Sequence, residues 1–186
     1  MRIVGGTFSG RVLRAPPGAA TRPTSEKVRE AMFNILGRRE VVHGRVLDLF
    51  AGSGAVGIEA LSRGAAHATF VDSAKPALGV TQGNLRELGL ADRATVHAGD
   101  ALAFVKKPCL EPWSFIFIDP PYASDLAVRA AQALPVASLT ADAVIVIEHD
   151  RRNAPPETLG SLVRTDERRY GDTLLSFYGF SEVPAP

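Results

Sequence analysis

Between residues 45 and 148, short apolar runs alternate with amphipathic stretches, and this alternation strongly constrains the fold. The apolar runs are rich in Val, Ile and Phe and predict strands, whereas the stretches between them have helical spacing. Such an alternation indicates a parallel sheet with helices on both faces. Strands are predicted at 45–50, 67–72, 94–99, 115–119 and 143–148, and helices at 56–63, 74–88, 101–107 and 126–134.

The C-terminal part departs from this alternation. Two short β-prone runs, 164–170 and 173–180, flank Gly171-Asp172, which predicts an antiparallel hairpin at one edge of the sheet. A further helix is predicted at 155–162. The expected fold class is therefore α/β: a Rossmann-like, mainly parallel, doubly wound sheet with an antiparallel C-terminal hairpin.

The N-terminal part is basic. Residues 1–45 carry nine Lys and Arg against three Glu, whereas residues 46–186 carry twelve Lys and Arg against seventeen Asp and Glu. A basic end on an acidic body is typical of proteins that bind polyanions. The candidate contacts are Arg2, Arg11, Arg14, Arg22 and Arg29.

Glycine pairs near the start predict a small β-hairpin with exposed arginines, followed by a Pro-rich linker. A helix should begin after Thr24, a candidate N-cap, and end at Gly37. We expect Arg29 to lie off the apolar stripe of this helix. The chain is thus divided into a basic arm with its linker at 1–23 and a main domain at 24–186.

Composition excludes several other classes of protein. Cys109 is the only cysteine, so an intrachain disulfide and a cysteine zinc cluster are excluded, which fits a reducing compartment. The four histidines lack metal-ligand spacing, so no metal is expected. No apolar run suggests a signal peptide or a membrane span. We expect a cytoplasmic protein with no membrane contact, and nothing in the sequence requires more than a monomer.

The 115–119 strand runs directly into Pro120, Pro121 and Tyr122. Proline cannot donate to a sheet ladder, so the strand stops at Asp119. Asp119 and Tyr122 then lie at the carboxyl end of the strand, where open α/β sheets bind their ligands. The Asp119 carboxylate and the Pro120 carbonyl are acceptors, and the tyrosine ring is a stacking surface. This set suits a planar ring that carries an exocyclic amino group.

A glycine-rich loop follows the first strand, with Gly52, Gly54 and Gly57 in the spacing of a dinucleotide-binding loop. Asp72 ends the next strand, where a carboxylate can accept two ribose hydroxyls. NAD and S-adenosylmethionine both fit these features. Asp48 beneath the loop disfavours a pyrophosphate and favours a cationic ligand such as S-adenosylmethionine.

Acids lie at the carboxyl ends of the first four predicted strands, at one sheet edge, namely Asp48, Asp72, Asp100 and Asp119. Together with the segments 48–54, 98–100 and 119–122, they resemble the class I S-adenosylmethionine-dependent amino-methyltransferases. The segments 2–6, 22–24 and 28–34 narrow this resemblance to the RsmD family, bacterial 16S ribosomal RNA guanine-N2 methyltransferases. The resemblance covers residues 1 to about 180.

The resemblance implies S-adenosylmethionine as cofactor, S-adenosylhomocysteine as product, and methylation of a guanine N2 amine, of the guanine-966 type. Its implied partner is 16S rRNA, within a small ribosomal subunit or its precursor, and the basic arm would contact rRNA phosphates. The expected catalytic residues are Asp119, Pro120, Pro121 and Tyr122. The expected cofactor-binding residues are Asp48, Phe50, Gly52, Ser53, Gly54, Asp72, Asp100 and Ala101.

Three other functions remain open at this point. A DNA amino-methyltransferase that acts on adenine N6 or cytosine N4 would share the site at 119–122, although the chain has no spare segment for a DNA-reading domain. An NAD-dependent oxidoreductase would share the glycine loop. A non-catalytic RNA-binding module would use the basic arm alone and would leave the strand-end acids unexplained.

Overall fold

The computed structural model of the chain describes residues 1–16, 24–37, 41–120 and 125–181. Within these residues, eight strands form one sheet and five α-helices cover it. The strands are β1 (Arg45–Leu49), β2 (His67–Asp72), β3 (Ala94–Ala98), β4 (Trp113–Ile118), β5 (Leu139–Asp150), β6 (Thr158–Leu159), β7 (Leu162–Tyr170) and β8 (Thr173–Phe180). The helices are α1 (Glu26–Gly37), α2 (Ala55–Ser62), α3 (Lys75–Glu87), α4 (Ala101–Val105) and α5 (Leu126–Ala133).

The strand order is β3-β2-β1-β4-β5-β8-β7-β6. β1 to β5 are parallel to one another, and β8 pairs antiparallel with both β5 and β7. The predicted α/β fold with an antiparallel C-terminal hairpin is therefore confirmed. The order reverses direction between β1 and β4, which is the topological switch point where open α/β sheets bind ligands.

Alternate residues of each central strand pack on opposite faces of the sheet, because successive side chains of a strand point to opposite sides. On one face, Phe115 and Phe117 of β4 lie in the core formed with α1 and α2. On the other face, Ile116 and Ile118 pack with α5. The middle strands are buried on both sides, which is why their sequences are continuous apolar runs.

The segment that was predicted as a helix at 155–162 is instead a turn and the short strand β6. Leu159 pairs with Leu162, and Gly160 between them has a φ of 65°. This left-handed conformation favours glycine and makes the tight turn from β6 to β7 possible. The helix prediction was wrong because this segment contains Pro155 and Pro156, and because Gly160 forms the turn of a hairpin at the edge of the sheet.

The N-terminal segment packs against the main domain. An antiparallel bridge joins Arg2 to Val12, as expected of a small hairpin. Ile3 and Leu13 are almost completely buried in the core that α1 and α2 share. The arginines at positions 2, 11 and 14 are exposed, so the segment contributes apolar residues to the core and basic residues to the surface.

Arg29 on α1 is completely buried. Its Nε lies 3.4 Å from Oε2 of Glu59 on α2, and we call this contact the Arg29–Glu59 ion pair. The guanidinium also donates to the backbone carbonyls of Arg2 and Thr24. The expectation that Arg29 lies off the buried face of α1 and binds RNA is therefore wrong, because its charge is used inside the protein.

Glu59 is also completely buried, and four groups converge on it. The backbone N–H groups of Val4 and Gly5 donate to its two oxygens at 2.8 and 2.7 Å. Arg63, one turn later and directly after α2, forms a second ion pair with it at 2.8 Å. A buried charge is tolerated only when it is paired and hydrogen-bonded, and Glu59 meets both conditions.

The start of α1 also differs from the prediction. Thr24 is not the cap of this helix, because its hydroxyl donates to Glu148 at the end of β5. Instead, the Ser25 hydroxyl accepts the N–H of Val28 at 3.2 Å, as an N-cap side chain does. The Thr24 side chain therefore interacts with the sheet rather than with its own helix.

No helix among the described residues is long and apolar enough to cross a membrane.

Replacing Glu59 by Gln would leave the Arg29 charge buried without its partner, although the side-chain volume is unchanged. Removing one member of a buried ion pair costs about 3–5 kcal/mol, so we expect a loss of stability in that range. Urea unfolding would measure it, with Glu30→Gln, an exposed change on α1, as the control. Equal stabilities of the two variants would contradict the prediction.

Candidate active site

The carboxyl ends of the parallel strands carry a row of acidic side chains. Asp48 is the penultimate residue of β1 and Asp72 is the last residue of β2, whereas Asp100 and Asp119 follow β3 and β4. The strand order places these acids along one edge in the sequence Asp100, Asp72, Asp48, Asp119. The sheet thus brings the four predicted acids to the same edge.

The loop from β1 to α2 requires its glycines. Gly52 and Gly54 have φ angles of 56° and 74°, in the left-handed region that favours glycine. At Gly57, an added Cβ would lie 2.3 Å from Cε1 of Phe70 on β2. The first two glycines therefore make the turn, and the third allows α2 to pack closely on the sheet.

Side chains of α3 hold this loop in place, which the sequence did not reveal. The Thr81 hydroxyl donates to the Gly52 carbonyl at 2.9 Å, and the Asn84 amide donates to the Ser53 carbonyl at 3.2 Å. The same Asn84 side chain exchanges hydrogen bonds with the backbone N–H and C=O of Arg14. One helix thus positions both the glycine loop and the N-terminal segment.

Asp48 is almost completely buried beneath the loop. Its Oδ2 accepts the N–H of Gly57 at 2.9 Å. Burial raises the pKa of Asp48 to about 8; the Gly57 bond opposes the shift and the charge of Asp72 adds to it. No ion pair within the described residues includes Asp48. A carboxyl in this setting favours a positively charged ligand, because a nearby cation would stabilise its ionised form.

Asp72 is fixed by the backbone on both sides. Its Oδ2 accepts the N–H of Gly52 and its Oδ1 accepts the N–H of Ala74, both at 2.8 Å. An ionised carboxylate has about four lone-pair positions, so each oxygen can accept one more hydrogen bond. This arrangement suits a pair of vicinal hydroxyl groups, such as those of a ribose.

Asp100 caps helix α4, because its Oδ1 accepts the N–H of Ala103 at 2.7 Å. Ala101, the first residue of that helix, is buried. The cap orients the carboxylate and leaves Oδ2 without a hydrogen-bond partner among the described residues.

Phe50 and Ser53 belong to the same loop as the glycines. Phe50 is half-buried, and its φ of 62° makes it the one non-glycine residue with a positive φ in the described part of the chain. Such a backbone is strained for a bulky residue and therefore marks a constrained position. Ser53 is buried, and its hydroxyl lies 3.6 Å from the Met1 sulfur.

Asp119 and Pro120 follow β4 and are both partly buried. Burial raises the pKa of Asp119 well above its usual range, and the negative charges of Glu148 and Asp48 raise it further. A carboxyl with a raised pKa is a stronger proton acceptor when it is ionised. The predicted site residues Pro121 and Tyr122 lie outside the described residues, as does Arg22.

Glu148 is a site residue that the sequence analysis missed. Ile118 of β4 pairs with Ile147 of β5, so the next residues, Asp119 directly after β4 and Glu148 within β5, lie side by side. Burial raises the pKa of Glu148, and a hydrogen bond from Thr24 lowers it. The signal was available, because Glu148 ends the predicted fifth strand as the four aspartates end the others.

Within the described residues, no three His, Cys, Asp or Glu side chains are arranged to hold a metal ion.

Comparison with known proteins gives consistent matches. The family model described as "Conserved hypothetical protein 95" matches residues 1–179. The chain is 42% identical over 182 residues to YlbH of Bacillus subtilis (strain 168), provisionally named an rRNA methyltransferase, with 96% of this chain and 98% of YlbH covered. It is 37% identical over 159 residues to Ribosomal RNA small subunit methyltransferase D of Escherichia coli (strain K12). This match covers 84% of this chain and 78% of the Escherichia coli protein.

The fold is also similar to a solved structure of the Escherichia coli protein yhhF, provisionally described as a methyltransferase. The TM-score is 0.84 at 32% identity, and 96% of each chain is covered. The similarity therefore includes the N-terminal segment, the glycine loop and the C-terminal hairpin.

Replacing Asp48 by Asn should change how stability depends on pH. The folded protein holds the Asp48 proton up to about pH 8, whereas an aspartic acid in the unfolded chain loses it near its ordinary pKa of 3.8. Between these values the wild-type free energy of unfolding falls as the pH rises, by up to about 1.4 kcal/mol per pH unit. The variant lacks this loss, so its melting temperature relative to wild type should rise between about pH 5 and about pH 7.5.

Thermal unfolding of the ligand-free proteins would measure this difference. Asp92→Asn, an exposed change, is the control and should show a pH-independent difference from wild type. A pH-independent difference for Asp48→Asn as well would contradict the prediction.

Proposed function

This chain belongs to the RsmD family (Conserved hypothetical protein 95), and from that premise we propose that it methylates the exocyclic N2 amine of a guanine in 16S ribosomal RNA. The methyl donor would be S-adenosylmethionine, and the target nucleotide would be of the guanine-966 type. The substrate form would be a small ribosomal subunit or its precursor. The chain itself is a methyltransferase, as its relatives and its fold indicate.

The observation that carries the proposal is the division of the acidic edge into two parts. Asp48, Asp72 and Asp100 lie with the glycine loop on the side of β1 to β3, whereas Asp119 lies on the side of β4 and β5. The first part has the chemistry of a site for a cationic nucleoside. The second part has the acceptors that an amino group requires.

The residues of the first part fit S-adenosylmethionine. Asp48 lies without a cation among the described residues, and its raised pKa shows how unfavourable its charge is without one. Asp48 would bind the amino group of the cofactor and face its sulfonium. Asp72 would bind the ribose hydroxyls, and Asp100 would accept a hydrogen bond from the adenine amino group. Phe50 would form part of the wall of this cofactor site. When bound, this cofactor supplies an electrophilic methyl group, whose bond to sulfur breaks as a bond to nitrogen forms.

The second part would hold the methyl acceptor. The Asp119 carboxylate and the Pro120 carbonyl would each accept one hydrogen of the amine, which directs the nitrogen lone pair away from the ring plane. Asp119, with its raised pKa, can receive the proton that the amine loses. Tyr122 would stack on the base, which must leave its helix to expose the amine. Catalysis of this kind depends mainly on positioning and electrostatics.

Transfer of labelled methyl groups from S-adenosylmethionine tests the proposal. Unmodified small ribosomal subunits, naked 16S rRNA and duplex DNA are offered in parallel, and the modified nucleoside is identified by mass spectrometry. N2-methylguanosine from the ribosomal substrates would support the proposal. Label in DNA alone would identify a DNA amino-methyltransferase, and the absence of label from every substrate would overturn methylation of these acceptors.

Replacing Asp119 by Ala should reduce kcat by at least about 10²-fold, because an acceptor aimed at the reacting amine is lost. The affinities for RNA and for S-adenosylmethionine should change little. Steady-state methyl transfer and equilibrium binding would measure these values, with Asp92→Ala at the opposite sheet edge as the control. Full activity of Asp119→Ala would contradict the assigned role.

The exposed arginines of the N-terminal segment should contribute to RNA affinity through phosphate contacts. Because Ile3 and Leu13 are part of the core, substitution tests this role more cleanly than deletion. Changing Arg2, Arg11 and Arg14 to Gln should weaken binding and reduce the slope of log K against log salt by about 2. S-adenosylmethionine binding should be retained.

The matched control changes three basic residues elsewhere, Lys106, Lys107 and Arg129, to Gln, so that the net charge falls equally. An equal loss of RNA affinity in both triple variants would show a non-specific charge effect and would contradict the assigned contacts.

A further inference from the structure

Glu148 and Thr24 form a partly buried polar pair at the end of β5. The Thr24 hydroxyl donates to Glu148 Oε2 at 2.6 Å, and Thr24 itself is buried. No other donor among the described residues bonds the Glu148 carboxyl group, and no ion pair among them includes it. Because a carboxylate that is withdrawn from water requires hydrogen-bond donors, the free oxygen indicates a ligand that donates.

The position of Glu148 beside Asp119 indicates which part of a bound ligand it would contact. In the β4–β5 register, Phe117 lies opposite Val146, and both pack on the face of the sheet that α1 covers. Glu148 lies two residues beyond Val146 on β5, and Asp119 lies two residues beyond Phe117, directly after β4, so both continue the side-chain pattern of that face. Two carboxylates are therefore adjacent at the proposed acceptor site.

Thr24 is held in place from the core. Its carbonyl accepts a hydrogen bond from Nη1 of Arg29 at 3.3 Å, and Arg29 is fixed by Glu59. The hydroxyl of Thr24 is therefore presented to Glu148 by a rigid part of the protein. It occupies Oε2 and orients the carboxylate, so that Oε1 is available to a ligand.

We propose that Glu148 accepts the ring N1–H of the target guanine and thereby selects guanine among the bases, with Thr24 as the residue that positions it. This inference rests on the proposed function. Guanine carries an N1–H donor directly beside its N2 amine. The ring nitrogen beside adenine N6, and the one beside cytosine N4, carries a lone pair and no hydrogen. A carboxylate would bind the first arrangement and repel the other two.

The test compares two acceptors that differ at this ring position and at the adjacent C6, where guanine has an oxygen and 2,6-diaminopurine an amino group. After the modified nucleotide has been mapped, small subunits are reconstituted with 16S rRNA that carries either guanosine or 2,6-diaminopurine riboside there. Both bases have the N2 amine, but 2,6-diaminopurine has a lone pair at N1. The wild-type enzyme should prefer guanosine in kcat/KM by about 10- to 100-fold, as expected for the loss of one base contact.

In Glu148→Gln, the amide oxygen can still accept from Thr24, and the amide nitrogen can donate to the N1 lone pair. The preference for guanosine should therefore fall at least about tenfold, because the charged acceptor is lost and a donor is gained. Glu157→Gln makes the same chemical change at a side chain that is 86% exposed, and it should keep the wild-type preference.

Thr24 provides a second, independent test if Glu148→Gln does not fold. Thr24→Val removes the hydroxyl with little change of volume, so the carboxylate is no longer oriented and the preference for guanosine should fall. Thr24→Ser restores the hydroxyl and should restore the preference. A purely structural role of Thr24 would alter the activities on both acceptors equally.

The outcomes separate this inference from the proposed function. If the wild-type enzyme methylates both acceptors equally well, or if the ratio is unchanged in Glu148→Gln and Thr24→Val, the role of Glu148 is overturned and guanine methylation stands. If the wild-type enzyme does not methylate subunits that carry guanosine, the proposed function fails, and this inference fails with it.

Discussion

The Arg29–Glu59 ion pair is the interaction on which the rest of the structure depends. Glu59 fixes the backbone of the N-terminal segment at Val4 and Gly5, and Arg29 fixes the carbonyls of Arg2 and Thr24. The pair therefore joins three parts of the chain, the N-terminal segment, α1 and α2, at one buried point. Because buried charges are costly unless every partner is in place, the three parts must assemble together.

The carboxyl edge of the sheet also contains buried acids, but these acids lack the partners that Glu59 has. Glu59 is satisfied by the protein, whereas Asp48 and Asp119 have raised pKa values because their charges are not fully compensated. Such groups reduce the stability of the ligand-free protein and are retained where a ligand supplies the missing partner. The contrast between the two kinds of acid distinguishes structural from functional carboxylates in this fold.

The sequence predicted the fold better than the details of the site. The alternation of strands and helices predicted the parallel sheet. The acids at the ends of the apolar runs predicted the sheet edge at which these acids lie together. The burial of Arg29 could not be predicted, because its partner Glu59 is thirty residues away and helical periodicity assigns charged residues to the surface. Glu148 was missed although it ends a predicted strand, since its importance depends on its neighbours in space, Asp119 and Thr24.

The switch point between β1 and β4 divides the edge in a way that matters for evolution. The strand-end residues that precede β4 in the chain form one side of the crevice, and those from β4 onward form the other, to which Thr24 is added from the N-terminal part. Apart from Thr24, the two sides meet in space but are encoded in separate parts of the gene. The second half can therefore diverge towards a new acceptor while the first half is conserved for the same donor. A single ancestral fold could in this way give rise to enzymes of different substrate specificity.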